Sequence, residues 1–536
     1  MSQSHKKQKR NLLTHCSQGS EIISKVTLDG HTLSSSEIWR VATGDADVEV
    51  SESSWDRIVK SRKVVDNILE SGEIVYGINT GFGALVNQTI SPKDLQQLQV
   101  NLIRSHATGI GELMSKQSVR AMMVARINSF AKGYSGVHPN VVQQLLDFVN
   151  MDITPAIPRI GSLGASGDLA PLSHMALALI GEGEVLVDDG TVIDTRDIIL
   201  ENGLIPLELG AKDGLSLING TSQMLSLLIE SEQILSQLLP LADIIMCTSL
   251  EGFRGSIAPA DERVHNARPH PGQKLISSRI RQIMSNSEIL ESHADCDKVQ
   301  DPYSFRCAPQ VHGAVYESLM QLRSTLEIEI NSTTDNPLVF FDSDDEEQKI
   351  VSQGNFHGEI LGLVADKMSL SIFELASISE RRMDQLLDTK KSGLPPFLAN
   401  NSGLESGLMI VQYVAGASLS ELHGHAAPRT AFSTSTSAGQ EDHVSMGATA
   451  CWNLLQATHR LSEVLACELL ISCQALEFES SKPSPFVQSI VKLVRDISPK
   501  IEADRSTSRD LIAISRHLKE GGWLSRVEAE NGRLPN

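Results

Sequence analysis

The segment of this chain best suited to chemistry is the tripeptide Ala165-Ser166-Gly167, within the run 161–174, GSLGASGDLAPLSH. Such a tripeptide can cyclise when the backbone nitrogen of Gly167 attacks the carbonyl carbon of Ala165, because glycine folds tightly at low cost. Loss of the Ala165 oxygen as water completes the ring, and loss of the Ser166 hydroxyl as a second water leaves an exocyclic methylene on a methylidene-imidazolone. That ring is an electrophile, and an electron sink of this kind is needed to remove the Cβ proton of an amino acid.

The same residues permit two other interpretations. A stretch of glycines and small residues is commonly a plain loop. The nucleophile elbow of a serine hydrolase has the pattern G-x-S-x-G, and Asp168 stands here where that pattern needs its second glycine. The register therefore argues against the elbow, while the loop stays open for the tripeptide taken alone.

The composition favours a large protein that handles a small molecule. At 536 residues the chain is longer than the ~250–300 at which a single core stops growing. Its formal charge of 46 − 66 = −20 would repel nucleic acid and anionic membranes, so we expect neither as a partner. No apolar run reaches the ~18 residues of a membrane span, and no signal peptide is recognisable. Seven scattered cysteines without a CxxC pair indicate reduced thiols and a cytoplasmic location.

The elements that must position the tripeptide are mainly helices. Apolar residues recur with helical spacing in six long segments. These are Leu95–His106, Ser118–Lys132, Thr221–Met246, Gly358–Leu387, Leu404–His423 and His443–Leu476. Pro240 is expected to kink or end the third of them. Long apolar helices need several neighbours, so the pattern predicts a helical bundle.

The organisation along the chain predicts four parts: a disordered tail (1–22), a mixed α/β region that carries the tripeptide (23–218), a central long-helix bundle (219–477), and C-terminal helices with a tail (478–536). The pattern also predicts a short strand over Glu73–Ile78 and a hairpin joining Val339–Phe341 to Ile350–Val351. The fold class is therefore mainly α, with a smaller mixed N-terminal region.

Separate blocks in family order, from about Val26 to Glu520, resemble the aromatic amino acid ammonia-lyases, which include histidine, phenylalanine and tyrosine ammonia-lyases and related aminomutases. Besides GSLGASGDLAPLSH they are VYGINTGFG (75–83), NLIRSHATGIGE (101–112), LINGTSQ (217–223), KVQDPYSFRCAPQV (298–311), DNPLVF (335–340), GNFHGE (354–359) and QEDHVSM (440–446). The resemblance implies a carbon–nitrogen lyase with the fumarase/aspartase-like bundle. It also implies a methylidene-imidazolone made from residues 165–167, no external cofactor, and a homotetramer with shared active sites.

The resemblance assigns roles to further residues. Tyr76 is implied as the base that removes a Cβ proton, which a positioned tyrosinate can do. Asn219 is implied to donate to the developing oxyanion, although it could also simply cap the following helix. Arg306 can grip the substrate carboxylate bidentately, with Tyr303 as a catalytic neighbour. Gln300 adds a polar contact in the same block.

Five further residues concern the choice of substrate. Ser105-His106 and Glu441 are similar to the residues that histidine ammonia-lyases have at the matching positions. A histidine and a carboxylate can both hydrogen-bond an imidazole. Some tyrosine aminomutases share the Ser-His pair. Phe356 is implied to pack near the electrophile, and Met409 is implied to pack against the imidazole or in the core.

The sequence therefore predicts an enzyme that converts L-histidine to trans-urocanate and ammonia. A tyrosine or phenylalanine ammonia-lyase, a tyrosine 2,3-aminomutase, and an inactive helical scaffold remain alternatives. The chain departs from the family pattern at Glu421–His423 and Thr430–Ser433, and Asp213 replaces a more usual glutamate. No metal is expected, because H-x-H at His423 and His425 is a weak zinc signal and Cys296 and Cys307 are no better.

Overall fold

The computed structural model describes residues 24–75, 77–80, 90–91, 93–188, 190–294, 298–343 and 349–536. The predicted tail, residues 1–22, lies outside these ranges. Within them the protein is mainly helical, as the apolar periodicity predicts.

The first part of the chain contains short helices and small sheets. Its helices are α1 (Ser35–Ala42), α2 (Glu52–Ser71), α3 (Leu95–His106), α4 (Lys116–Ala131), α5 (Pro139–Asn150), α6 (Leu169–Leu179), α7 (Thr195–Glu201) and α8 (Asp213–Ile218). Its strands are β1 (Ser24–Leu28), β2 (Ala46–Val50), β3 (Ile110–Leu113), β4 (Thr154–Pro155), β5 (Pro158–Ile160), β6 (Glu184–Leu186) and β7 (Val192–Asp194). Strands β1 and β2 pair in parallel, β3 pairs with β5 antiparallel, and β4, β6 and β7 form an antiparallel sheet.

Long helices follow. They are α9 (Ser222–Phe253), α10 (Glu262–Ala267), α11 (Pro271–Ile283), α12 (Glu288–Ser292), α13 (Tyr303–Arg306), α14 (Ala308–Ile330), α15 (Glu359–Leu387), α16 (Thr389–Ser392), α17 (Met409–Ala426) and α18 (Gly447–Ala475). The chain then forms α19 (Pro485–Arg495), α20 (Ser508–Glu520) and α21 (Trp523–Asn531). Strands β8 (Leu338–Val339) and β9 (Ile350–Val351) form the predicted hairpin, whose tip at 344–348 is outside the described residues.

The core of the bundle is formed by α9, α14, α15 and α18, with α17 packed on both α15 and α18. Helix α9 is buried along nearly its whole length of 32 residues. It is long and apolar enough to span a membrane by length and composition, yet 83% of its most apolar window is buried inside the protein. It is therefore the central helix of the bundle.

Several predicted boundaries are wrong, each for a local reason. Pro240 lies inside α9 without ending it, and the helix stops only where Arg254 turns left-handed. Helix α17 begins at Met409 rather than Leu404, because Gly407 adopts a positive φ of 58° just before it. No strand forms over the described residues of 73–78, where 77 and 78 lie in a turn.

Candidate active site

The tripeptide lies in a tight loop whose shape depends on glycine. Gly164 and Gly167 adopt positive φ values of 64° and 77°, which favour glycine over L residues with side chains. A Cβ atom on Gly167 would collide with the backbone of Gly220, the residue that pairs with it in an isolated bridge. The Asp168 N–H donates to the Gly220 oxygen at 2.7 Å, which locks the two loops together.

Asp168 fastens this loop to the start of α9. Its Oδ2 accepts the backbone N–H groups of Gln223 and Met224 at 2.9 and 3.0 Å, and its Oδ1 accepts the Ser162 hydroxyl at 2.8 Å. Burial raises the pKa of this carboxyl to about 7, although the three hydrogen bonds act in the opposite direction. The tripeptide is therefore held by a buried carboxyl that protonates near neutral pH.

Other helices also meet this loop at their N-termini. The Gly164 oxygen accepts the Gly358 N–H at 3.0 Å and the Ser445 hydroxyl at 2.8 Å, just before α15 and α18 begin. Helix α6 starts directly after Asp168, and α9 starts at the residues that Asp168 caps. Helix N-termini carry partial positive charge, so four of them favour negative charge developing at the tripeptide.

The carbonyl and the hydroxyl of Ser166 each have a specific partner. The Asn219 amide donates from Nδ2 to the Ser166 carbonyl oxygen at 2.7 Å, and Asn219 is almost completely buried. The Ser166 hydroxyl donates to Oε1 of Glu441 at 2.6 Å, although 275 residues separate the two in sequence. The hydroxyl that would leave and the carbonyl that would become an oxyanion are thus each addressed by one side chain.

Glu441 is itself held by a tight turn. Ser437, Ala438 and Gly439 adopt consecutive left-handed φ values of 51°, 54° and 88°. Thr436 closes the turn, because its hydroxyl donates to Glu441 Oε2 at 2.7 Å and its N–H donates to the Glu441 carbonyl at 2.9 Å. Left-handed conformations are costly for non-glycine residues, so the surrounding contacts must hold this turn in place.

A cavity of about 520 Å³ opens over the tripeptide, and we call it the tripeptide cavity. Its lining combines small, amide, aromatic and acidic side chains. They are Ala165, Ser166, Leu215, Asn219, Asn336, Ser352, Gln353, Phe356, His357, Gln440, Glu441, Asp442 and His443. A larger groove of about 1020 Å³ lies elsewhere, between α17, α18 and α20, and includes none of these residues.

The comparisons with known proteins agree with this geometry. The profile of the aromatic amino acid lyase family matches residues 33–496. The chain belongs to the aromatic amino acid lyase family. The histidine ammonia-lyase of Myxococcus xanthus is 43% identical to it over 506 residues, covering 94% of this chain and 99% of that enzyme. With such relatives, this member of the family is a carbon–nitrogen lyase.

Two solved structures of aromatic amino acid lyases and aminomutases match the fold. The histidine ammonia-lyase of Trypanosoma cruzi gives a TM-score of 0.87 at 36% identity, covering 94% of this chain and 95% of that one. The tyrosine aminomutase of Streptomyces globisporus gives 0.89 at 34% identity, covering 95% and 100%. The mainly α, fumarase-like fold expected from the sequence is therefore confirmed.

The structure brings one group of predicted residues together. Ala165, Ser166, Asn219, Phe356 and Glu441 all line the tripeptide cavity, and Gly167 completes the loop beneath it. They come from four separate blocks of the sequence. Tyr76 lies outside the described residues, and its neighbour Gly77 packs against Leu215, which lines the cavity.

The predicted pair Ser105-His106 ends α3 and does not line the cavity. Helix α3 packs against α6, which follows the tripeptide, and against α8, which precedes Asn219, and Gly109 lies against Gly161. The His106 Nδ1 lies 2.8 Å from the Leu102 carbonyl, which as an acceptor favours a proton on Nδ1. Nε2 is then an acceptor for an N–H group.

A third group lies far from the cavity within one chain. The Tyr303–Arg306 helix packs at the C-terminal end of α9, where Phe305 stacks on Phe253 with ring centroids 4.7 Å apart. The tripeptide meets the other end of α9, so about 45 Å separates the two at 1.5 Å per residue. Gln300 is exposed and Tyr303 is 71% exposed.

Met409 is distant from the tripeptide as well. Met409 is the first residue of α17, and its neighbours Leu408 and Ile410 line the larger groove. Cys467 of α18 lines the same groove. Helix α18 begins at the tripeptide with Gly447, so about 30 Å of helix separates the two places. The expectation that Met409 reaches the substrate is therefore not met inside a single chain.

Sequence reasoning missed several residues of the cavity. Gln353, His357 and His443 line it, and the last two belong to the GNFHGE and QEDHVSM blocks in which only Phe356 and Glu441 were singled out. Their position inside matching blocks was the available signal. The weak zinc pattern finds no support in the described residues, because His425 bonds Asn453 at 2.7 Å and His423 packs on Phe373. Cys296 is outside them.

The segment that departs from the family pattern is anchored away from Ser166. Thr430 donates from both its N–H and its hydroxyl to Asp366 of α15, at 2.9 and 2.7 Å. The Ser433 hydroxyl accepts the Val444 N–H at 2.9 Å. The altered residues thus support the segment that carries Glu441 without touching the tripeptide.

Proposed function

We propose that this chain is a histidine ammonia-lyase, which eliminates ammonia from L-histidine and releases trans-urocanate. The observation that carries the proposal is the contact of Glu441 with Ser166, at 2.6 Å. It puts a carboxylate where the side chain of an amino acid bound at the tripeptide would lie. An imidazole N–H can donate to that carboxylate, whereas a purely apolar ring would leave its Oε1 desolvated without a partner once the Ser166 hydroxyl is lost.

The residues present fit a methylidene-imidazolone made from Ala165-Ser166-Gly167. Within the described part of the chain the Gly167 N–H donates no hydrogen bond, so its nitrogen is available to attack. No Cβ obstructs the turn at Gly167, and Asn219 already binds the Ser166 carbonyl oxygen. When formed, the group supplies an electrophilic methylene that no unmodified side chain offers.

The chain's own residues then divide the work. Asn219 holds the Ser166 carbonyl oxygen, and its amide N–H would stabilise negative charge that develops there. Glu441 orients the imidazole, with His106 as a second acceptor, and Phe356 packs beside the ring. Tyr76 remains our proposed base for the Cβ proton.

Arg306 can bind the substrate carboxylate only if a second copy of the chain supplies it. About 45 Å separates Tyr303–Arg306 from the tripeptide of the same chain. Arg306 stacks on Tyr303, 4.7 Å from the ring centroid, and has no ion pair among the described residues. A partly buried cation without a counter-charge among the described residues is suited to an anionic ligand in a neighbouring subunit. We propose that Gln300 and Met409 likewise contribute to the active site of a neighbouring subunit.

The surface of the bundle supports a homotetramer built from such contacts. Helix α15 exposes Ile360, Leu363 and Leu370, and α17 exposes Ile410 and Tyr413, by 49% to 64% each. Exposed apolar side chains aligned along long helices are typical of subunit interfaces. We propose that the assembly acts in the cytoplasm, in keeping with the five free cysteines in the described ranges.

One assay tests the substrate. The protein is incubated with L-histidine or L-tyrosine while urocanate or coumarate is followed by absorbance. We expect urocanate only, together with a near-ultraviolet band that disappears in Ser166→Ala. Turnover of tyrosine without urocanate would establish a tyrosine enzyme instead, and no turnover with no such band would indicate an inactive scaffold.

A complementation experiment tests the shared site. Ser166→Ala and Arg306→Ala are each expected to abolish most activity, while their co-expression restores a measurable part of it. A mixed tetramer contains some sites with an intact tripeptide and Arg306 of the partner subunit. Mixed tetramers shown by native mass spectrometry, yet no more active than the separate variants, would contradict the shared arrangement.

A further inference from the structure

Three potential metal ligands meet at the rim of the tripeptide cavity. His357 precedes α15, Glu359 is the first residue of α15, and His443 lies just before α18. One donor atom from each lies within 4.8 Å of the other two. The two imidazole rings stack with centroids 5.7 Å apart and planes 27° from parallel. Side chains from segments 86 residues apart thus converge on one point.

These donors have little else to bind. Glu359 Oε2 is buried and accepts no hydrogen bond within the described part of the chain. The His357 Nε2 makes one long contact of 3.4 Å with the His443 carbonyl. No hydrogen bond to the His443 ring is found among the described residues. A buried carboxylate oxygen without a partner costs free energy, which a bound cation would offset.

The geometry is close to what zinc requires. Zinc binds histidine nitrogens and carboxylate oxygens at about 2.0–2.2 Å, so tetrahedral ligand atoms stand about 3.4 Å apart. Donor atoms within 4.8 Å of one another reach that spacing when side-chain rotations move them by about 1 Å. Two imidazoles and one carboxylate also leave a fourth position for water or another ligand.

Electrostatics allow a cation at this place despite the helix N-termini around it. The negative charges of Glu359, Glu441 and Asp442 lie at or beside the same cavity, and Arg306 of the same chain is remote. Glu359 is the first residue of α15, and its carboxylate is the oxygen ligand of the cluster. An ionised carboxylate is the form that ligates a metal.

We propose that His357, Glu359 and His443 form a binding site for a divalent transition metal of the zinc class. The site lies in the wall of the tripeptide cavity, since His357 and His443 both line it. A bound ion therefore occupies space that an amino acid needs beside Ser166. Zinc binding and amino acid binding at this cavity exclude each other.

The test is calorimetric titration of the chelator-treated, full-length assembly with ZnCl2. We expect one site per chain, weakened at least tenfold by His443→Ala and by Glu359→Gln. Glu359→Gln keeps the size of the side chain, so it still tests the site if His443→Ala fails to fold. His270→Ala, which removes an exposed histidine at the start of α11, serves as the matched control and should leave the affinity unchanged.

Cobalt provides a second readout that does not depend on turnover. Co²⁺ bound by two imidazoles and a carboxylate gives visible d–d absorption, which we expect in the wild-type protein and not in the two cluster variants. Equal zinc stoichiometry and affinity in wild-type, His443→Ala and Glu359→Gln proteins would overturn the proposal. So would a cobalt spectrum that persists in both variants.

Discussion

Truncating Asn219 tests the oxyanion role at the tripeptide. Its Nδ2 lies 2.7 Å from the Ser166 carbonyl oxygen in a buried position, within the 2.7–3.1 Å range of effective oxyanion donors. Loss of one such donor costs about 10²–10³ in kcat, or about 2.7–4 kcal/mol. We therefore expect Asn219→Ala to lower kcat for L-histidine by that factor, with KM nearly unchanged.

The assay measures urocanate formation together with the near-ultraviolet band of the tripeptide. The band should remain, because Asn219→Ala leaves unchanged the three residues, 165–167, from which the ring forms. Asn219→Asp should lose at least as much activity, since it replaces the donor with an acceptor and brings a negative charge toward the carbonyl oxygen. Asn202→Ala, a change at the exposed C-terminus of α7, is the control. A kcat within threefold of wild type, with the band intact, would refute the oxyanion role.

Three further changes test the loop, its anchor and the substrate contact. Gly167→Ala should abolish the near-ultraviolet band and lower the melting temperature well beyond Gly190→Ala, a control at a similar φ of 80° with open space around it. Asp168→Asn should flatten the pH dependence of the unfolding free energy. The folded carboxyl holds its proton between about pH 4 and its pKa of about 7 while the unfolded one does not, so wild-type stability falls by up to about 4 kcal/mol as pH rises across that window. Unfolding in urea at pH 5 and pH 8 measures this, and equal slopes for both proteins would contradict it. Glu441→Gln should lower kcat/KM for L-histidine about 10- to 100-fold, the value of a charged hydrogen bond, while keeping the band; an unchanged kcat/KM would remove Glu441 from substrate binding.

The fold could be predicted where apolar spacing alone determines the element. Helix α3 begins and ends where its pattern predicts, and α15 differs by one residue at its start. The errors fall where backbone conformation overrides composition. The left-handed Gly407 delays α17, and burial on all sides of α9 lets the helix continue through Pro240. Neither effect can be recognised from the spacing of apolar residues in the sequence.

The site could be predicted where its residues belong to contiguous sequence blocks that match the family. Ser166, Asn219 and Glu441 were each recognised from their own block, and the structure joins them through two hydrogen bonds of 2.7 and 2.6 Å. The cluster of His357, Glu359 and His443 was not predicted, because its ligand spacing exists only in three dimensions. A separation of 86 residues has no metal-binding signature.

Residues missing from the cavity also carry information. Gln300, Tyr303, Arg306 and Met409 stand about 30 to 45 Å from the tripeptide along rigid helices, a distance that no side-chain movement can close. Those residues are exposed or only partly buried at the ends of the bundle rather than part of its core. If these residues take part in the reaction, assembly must bring them next to the tripeptide of a neighbouring copy of the chain. The length of α9 and α18 then sets the spacing between active sites as well as the core of each chain, and the active site and the assembly are specified by the same helices.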